Sequence, residues 1–276
     1  PSDKTIKGLV SSALEHHHHG YQPYKGIPQL RNAFADWYLD TYGVTLDPEQ
    51  EILPLMGSKE GVMHISWAFL NPGDQALMPN PGSPTYASIT RLLGAEPLWY
   101  DLTNTNHWYP DLAALEQQDL SRVKIMWVNY PHMPTGAPAT DELFESLIAF
   151  GKKHRILICH DNPYSLVLNR SPKSILAYEG AKEVAVELNS LSKSHNMAGW
   201  RVGMVAGEAS YINHILKVKS NMDSGMFRSI QDASVAALSN SYGWHEARNE
   251  RYLRRREVAW QILDALNCSY QKNQAG

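Results

Sequence analysis

The chain has 276 residues, and its 18 glycines and 16 prolines are close to the average share, which excludes collagen-like and low-complexity proteins. Hydrophobic residues make up 43% and charged residues 19%, a balance typical of a folded globular chain. The net charge of −3 without long runs of one sign argues against a nucleic-acid partner, and no apolar run is long enough to span a membrane.

Short apolar runs alternate with amphipathic stretches up to about Asn240. This alternation predicts an α/β fold with a mainly parallel sheet covered by helices on both faces. The predicted strands are 51–55, 75–79, 96–101, 123–129, 155–161, 184–188 and 202–206. The predicted helices between them are 59–70, 85–93, 111–118, 141–154 and 209–222. Thr140 and Ser58 are expected to cap the helices that follow them.

The pattern changes after Asn240 to one long helical stretch, 244–266. Its arginines are balanced by glutamates, so we interpret them as a solvated helix face rather than a nucleic-acid surface. The arginines are Arg248, Arg251, Arg254, Arg255 and Arg256. The sequence therefore predicts an N-terminal segment with a first helix (1–45), a large α/β domain (46–238), and an interdomain helix that begins a small domain (239–276).

The two cysteines, Cys159 and Cys268, are too few for a disulfide framework. Cys159 lies in an apolar run, which predicts a buried thiol and fits a reducing, cytoplasmic setting. The run His16–His19 could be a metal site or a tag remnant. Adjacent histidines point in different directions, so we expect no metal. The run continues directly into the segment at Tyr21, which favours natural sequence near a subunit interface.

Polar residues that follow strands are candidates for a site, because ligands of open α/β sheets bind at the carboxyl ends of the strands. Lys193 follows one strand among serines, where an amine can act as a nucleophile near another cation. Arg201, eight residues later, could bind an anion. For Lys193 alone, a solvated lysine in a polar loop is the alternative interpretation.

Asp161 ends another predicted strand, where a buried carboxylate needs a cation such as a protonated pyridine nitrogen. A helix cap or turn residue is the alternative for Asp161. Tyr164, three residues later, could donate to an oxygen of the same ring. His160 is expected to pack within the fold rather than to catalyse.

Two further segments lie at strand ends. Gly57-Ser58-Lys59 stands between a strand and a helix, where backbone N–H groups can hold a phosphate, although the spacing is not that of a Walker A loop. The segment 129–136 contains two prolines and a glycine that favour a rigid loop, and an ordinary turn is its alternative.

Together these segments resemble the class I/II aminotransferases, which are fold type I enzymes that use pyridoxal 5′-phosphate (PLP). The matching motifs are Ser190-Leu191-Ser192-Lys193 with Gly199-Trp200-Arg201-Val202-Gly203, Asp161-Asn162-Pro163-Tyr164, the loop 129–136, Gly57-Ser58-Lys59, and Tyr21-Gln22-Pro23-Tyr24-Lys25-Gly26. Their order and spacing agree with the family across nearly the whole chain.

The resemblance implies a three-layer α/β fold, with a large PLP-binding domain and the start of a small C-terminal domain. It implies transfer of an amino group between an amino acid and a 2-oxo acid. Lys193 would bind PLP and move the substrate proton, Asp161 would keep the ring nitrogen protonated so that the ring withdraws electrons, and Tyr164 would hydrogen-bond the 3′-oxygen.

The family pattern also assigns residues to the phosphate of PLP. Those residues would be Gly57, Ser58, Lys59, Ser190 and Arg201. In the family, the tyrosine that matches Tyr21 reaches the phosphate of the neighbouring subunit. The resemblance therefore implies a homodimer with shared sites.

The chain departs from the family at three points. Met133 stands where the family has an asparagine that binds the 3′-oxygen, and Ser83 stands where it has an aromatic residue stacked on the ring. Tyr86 lies near Ser83 as another possible stacking partner. Family members also extend beyond both ends of the chain, and the arginine that binds the substrate carboxylate lies in their small domain. We therefore expect the chain to be a portion of a longer enzyme.

Two alternatives remain open at this stage. A β-elimination lyase of the same fold would hold PLP with the same motifs. A weakened or non-catalytic relative would fit the changes at Met133 and Ser83, although a regulator of this fold would need a DNA-binding segment for which the sequence has no room.

Overall fold

The computed structural model describes residues 1–272, 274 and 275. The strands are β1 (Ile52–Leu55), β2 (Gln75–Asn80), β3 (Glu96–Asp101), β4 (Val123–Asn129), β5 (Leu157–Asp161), β6 (Ala185–Ser190) and β7 (Gly203–Gly207). The helices are α1 (Asp3–Ala13), α2 (Pro28–Tyr42), α3 (Ser58–Phe69), α4 (Pro84–Leu92), α5 (Leu112–Leu115), α6 (Asp141–His154), α7 (Leu191–Ser194), α8 (Ala209–Lys219), α9 (Arg228–Leu238) and α10 (Tyr242–Ala265).

The strands form one sheet in the order β1-β7-β6-β5-β4-β2-β3. Neighbours from β6 to β3 pair in parallel, whereas β7 runs antiparallel to both β6 and β1. This confirms the predicted, mainly parallel α/β sheet. Gly203 at the start of β7 pairs with Ser190 at the end of β6 and with Leu55 at the end of β1. The reversed strand thus begins at the edge where its neighbours end.

Each face of the sheet has its own apolar core, because successive side chains of a strand point to opposite faces. On β4, Met126 and Val128 belong to one buried cluster, and Ile125 and Trp127 belong to the other. All four side chains are fully buried. A strand segment that is buried on both faces is apolar at successive positions, which is why residues 125–128 of β4 form an uninterrupted apolar run.

The seven predicted strands are all present: β3 and β4 have the predicted bounds, and the ends of the other strands differ by at most two residues. Thr140 caps α6 as predicted, since its side chain accepts a hydrogen bond from the Leu143 N–H at 3.2 Å. Ser58 does not cap α3: Gly57 occupies the cap position and Ser58 is the first helical residue. The predicted helix 111–118 is reduced to the single turn of α5.

Helix α9 has no counterpart among the predicted elements. Its buried face consists largely of small residues such as Ser229, Ala233 and Ala237. Ala233 and Ala236 pack against Gly8 of α1. The helix is therefore held by a contact between segments more than two hundred residues apart.

Helix α10 confirms the long helical stretch, but Arg248 is not part of a solvated face. Its side chain is buried, and its guanidinium donates to the carbonyl of Leu166. The prediction of a fully solvated arginine stripe was wrong at this position, because the helix packs against the loop after β5. Within the described residues, no helix is both long enough and apolar enough to cross a membrane.

Candidate active site

A cavity of about 320 Å³ lies at the edge of the sheet where β4, β5 and β6 end. Seven of the nine predicted site residues line it: Ser58, Lys59, Asp161, Tyr164, Ser190, Lys193 and Arg201. The eighth, Gly57, lies directly beside the Arg201 guanidinium. The site therefore forms where the topology brings one antiparallel and several parallel strand ends together.

The floor of the cavity carries the carboxylate of Asp161 at the end of β5. Its Oδ2 accepts a hydrogen bond from the Tyr86 hydroxyl at 2.9 Å, whereas its buried Oδ1 has no donor among the described residues. Burial raises the pKa of Asp161 to about 6, although the Tyr86 hydrogen bond and the nearby His160 oppose the rise. The geometry leaves one carboxylate oxygen ready for a donor from the cavity.

Two residues outside the predicted set fix the position of Asp161. Tyr86 is buried and stacks on Trp127, with ring centroids 5.0 Å apart and an interplanar angle of 3°. The Asn129 side-chain amide donates to the Asp161 carbonyl at 2.7 Å. For Tyr86 we predicted only a stacking role. Tyr86 lies in the first turn of α4, directly after the end of β2, and this position at the sheet edge is the one sequence signal for its hydrogen bond to Asp161.

Lys193 enters the cavity from the one-turn helix α7, immediately after β6. Its Nζ lies 5.8 Å from the centroid of the Tyr164 ring. Ser190 begins this turn by accepting a hydrogen bond from the Ser192 N–H at 3.1 Å. Burial and the charge of Asp161 raise the pKa of the Tyr164 hydroxyl. The amine, the phenol and the carboxylate thus face one cavity, as the sequence predicts.

The cavity has a corner where α3 begins whose groups are chemically suited to an anion, called here the anion-binding corner. Gly57 has a φ of +88°, and a Cβ built on it would lie 2.3 Å from Nη2 of Arg201. Arg201 is fixed by a 2.8 Å hydrogen bond from its Nη1 to the Ala198 carbonyl. Free N–H groups of a helix N-terminus together with a guanidinium favour a phosphate or a carboxylate.

The two departures from the family pattern also line the cavity. Met133 is partly exposed, and its backbone N–H donates to the Asn129 side chain at 2.8 Å. Ser83 caps α4 by accepting from the Thr85 N–H. A thioether and a short hydroxyl therefore stand where the family has an amide and an aromatic ring.

Tyr21 is the one predicted site residue far from the cavity wall. Its side chain is 93% exposed and is not among the residues that line the cavity. The preceding histidines form a turn of 3₁₀ helix, in which His18 pairs with Ser12 at 2.8 Å. Cys159 is buried as predicted, and burial raises the pKa of its thiol.

The chain is similar to known proteins in sequence. The family described as Aminotransferase class I and II matches residues 2–276. An LL-diaminopimelate aminotransferase of Dehalococcoides mccartyi is 45% identical over 269 residues, which cover 96% of this chain and 69% of the relative. The enzyme of the same name from Aquifex aeolicus is 39% identical, with coverage of 96% and 70%.

Solved structures give the same result. Substrate-bound BacF from Bacillus subtilis superimposes with a TM-score of 0.93 at 35% identity, and the match covers 96% of this chain and 67% of the BacF chain. An aminotransferase from Staphylococcus aureus gives a TM-score of 0.94 at 31% identity, and the match covers 100% of this chain and 73% of that aminotransferase. The chain therefore belongs to the class I and II aminotransferases, PLP-dependent enzymes of fold type I that transfer an amino group between an amino acid and a 2-oxo acid.

Proposed function

We propose that the cavity is the PLP site of this aminotransferase, with Asp161 at the ring nitrogen and Lys193 as the residue that binds the cofactor. The observation that carries the proposal is the buried Oδ1 of Asp161, which has no donor among the described residues. A carboxylate with a raised pKa is costly to keep there unless a cation faces it. The N–H of a pyridinium ring supplies that partner.

The remaining residues fit the other parts of the same molecule. Ser58, Ser190 and Arg201 offer hydroxyls and a guanidinium to the phosphate, with Lys59 beside them. Tyr164 offers a hydroxyl to the 3′-oxygen. PLP supplies an electron sink that stabilises negative charge on the substrate Cα.

The protein residues orient the substrate and move its protons. Lys193 approaches from α7. Its amine would take the proton from the Cα of the amino-acid donor and, in the half-reaction with the 2-oxo acid, deliver a proton to the carbon that becomes the Cα of the product. Asp161 would keep the ring nitrogen protonated, because its negative carboxylate would accept a hydrogen bond from the ring N–H and stabilise the positive charge. Tyr86 and Asn129 hold Asp161 in place from the floor.

Gly57→Ala is expected to weaken PLP binding by about 10-fold to 100-fold, the cost of one hydrogen bond to a charged group. The added Cβ would displace the Arg201 guanidinium, which lies 2.3 Å from its position. The dissociation constant can be measured by fluorescence titration of the cofactor-free protein.

Gly73→Ala is the matched control for this experiment. Gly73 has a φ of +86°, nearly that of Gly57, but no described atom lies within 4 Å of its added Cβ. Both variants should lose stability through backbone strain. Equal PLP affinities of the two variants would contradict a phosphate site at Gly57 and Arg201.

We further propose LL-diaminopimelate as the amino donor. Relatives with 39–45% identity carry the name LL-diaminopimelate aminotransferase. Incubation with LL-diaminopimelate and 2-oxoglutarate should form glutamate. Glutamate from other amino acids only would contradict this substrate. The lyase alternative needs a leaving group on the β-carbon, so it is tested with cysteine in the absence of a 2-oxo acid, where pyruvate and ammonia would indicate a lyase.

The proposed assembly is a homodimer in which Tyr21 reaches the phosphate of the neighbouring subunit. The exposure of Tyr21, together with exposed Tyr24, Phe227 and Met222, supports an interface at this surface. Sedimentation velocity at micromolar concentration tests the assembly, and a monomer mass would contradict it.

A cytoplasmic location remains our prediction from the two free cysteines.

A further inference from the structure

A buried ion pair lies in the sheet directly beside Asp161. His160 and Glu187 are register partners on β5 and β6. Both side chains are fully buried, and the His160 Nδ1 lies 2.8 Å from the Glu187 Oε2. Neither group lines the cavity, and the mechanism above does not use them. A buried pair of this kind is costly unless every partner is satisfied.

The contacts of the imidazole determine its protonation. The His160 Nε2 lies 2.9 Å from the carbonyl oxygen of Tyr130, which can only accept a hydrogen bond, so Nε2 carries a proton. The opposite nitrogen faces the Glu187 carboxylate. The charge of His160 therefore depends on whether Glu187 is ionised.

Glu187 is surrounded by donors. Its Oε1 accepts from the Tyr38 hydroxyl at 2.7 Å, and its Oε2 accepts from the Ser174 hydroxyl at 2.9 Å and the Ile175 N–H at 3.0 Å. The Asn162 amide adds a longer contact to Oε1 at 3.4 Å. Several donors on one carboxyl favour its ionised form, so the proton of the pair resides on His160.

We propose that His160 is a permanent imidazolium, held by Glu187, and that it acts as a positioning residue which keeps the adjacent Asp161 ionised for the ring nitrogen. The use of an ionised Asp161 rests on the proposed PLP site, whereas the charge of His160 does not. The charge of His160 lowers the pKa of Asp161 against the effect of burial. The other groups facing Asp161 from neighbouring elements are Tyr86 and Tyr164, which are neutral, and Lys193 across the cavity. The edge of Phe144 covers His160 from α6 and adds no charge.

The decisive measurement is ¹⁵N NMR of histidine-labelled, cofactor-free protein, with the His160 signal assigned through His160→Gln. We expect both ring nitrogens of His160 to be protonated at about pH 7.5, where an ordinary histidine is mostly neutral. A neutral ring at this pH would overturn the proposal. The result does not depend on PLP or on activity, so it separates this inference from the proposed function.

The Glu187→Gln variant tests the effect on Asp161. Without the carboxylate, His160 should become neutral, and the Asp161 titration followed by ¹³C NMR should shift upward by about one pH unit. The acid limb of kcat/KM in the PLP-loaded enzyme should shift in the same direction. Glu145→Gln, which removes an exposed carboxylate from α6, is the control. If the Glu187→Gln variant folds and the Asp161 titration is unchanged, the His160–Glu187 pair has a purely structural role and the proposal is overturned. If this variant does not fold, the ¹⁵N spectrum of the wild-type protein tests the proposal by itself.

Discussion

Lys193→Ala is expected to lower kcat for transamination by about 10⁴-fold, the upper range for loss of a positioned acid–base group. The amine lies on α7 beside Tyr164 and faces the same cavity as Asp161. No other lysine except Lys59 lines that cavity within the described part of the chain. Lys59 belongs to the anion-binding corner, so a substitute for the lost amine is not in place.

The measurement combines kinetics with chemical trapping. Borohydride reduction of the PLP-loaded protein should fix the cofactor on the peptide that contains Lys193, as read by mass spectrometry. Lys217→Ala, which removes an exposed lysine of α8, should keep both the activity and the trapped peptide. Cofactor trapped on another lysine of the wild-type protein would refute the assignment of Lys193.

Asp161→Asn should lower kcat by about 10³-fold while PLP still binds, an effect comparable to loss of one preorganised electrostatic group. Asparagine keeps the shape of the side chain and can still accept from the Tyr86 hydroxyl. It carries no negative charge, so it does not hold a proton on the ring nitrogen. Exposed Asp40 of α2 provides the control Asp40→Asn, and equal kcat values for the two variants would contradict the proposed role of Asp161.

The same variant should stabilise the cofactor-free protein, because Asp161 is maintained there at a cost. A pKa raised to about 6 in the folded state means that folding penalises the ionised carboxylate by about 3 kcal/mol above that pH. The penalty disappears as the pH falls toward the unfolded value near 4, since the carboxyl is then protonated in both states.

Thermal unfolding measures this effect directly. The gain in unfolding free energy of Asp161→Asn over the wild type should be largest near about pH 7.5 and should shrink as the pH falls through about 6. A gain that is equal at about pH 7.5 and about pH 4.5 would show that ionisation of Asp161 is not its source.

The strands and most of the site could be predicted because both leave a local signal. β4 and β5 each contain an apolar run, 125–128 and 157–159, and the polar residues that follow these runs mark the sheet edge. The motif around Lys193 is continuous in the sequence, so its order and spacing identify it without any knowledge of the fold.

The remaining features depend on contacts that the local sequence does not show. The Tyr86–Asp161 hydrogen bond joins residues 75 positions apart, and the pairing of His160 with Glu187 depends on the register of two strands. Helix α9 has a face of small residues that is buried because α1 and α2 pack against this helix. Tyr21 was predicted to serve a neighbouring subunit, a role that a single chain does not test.

The reversed direction of β7 has a consequence for how this site can change. A parallel crossover runs from the carboxyl edge through a helix to the opposite edge, where the next strand begins, and its loops can lengthen with little effect on the site. The link from Lys193 to Gly203 instead turns back directly, with Gly203 paired to both Ser190 and Leu55. The number of residues in this link therefore sets the separation between the lysine amine and the Arg201 guanidinium. Insertions should be tolerated in the loops at the opposite edge of the sheet, whereas one added residue between Lys193 and Arg201 would misplace one end of the cofactor relative to the other.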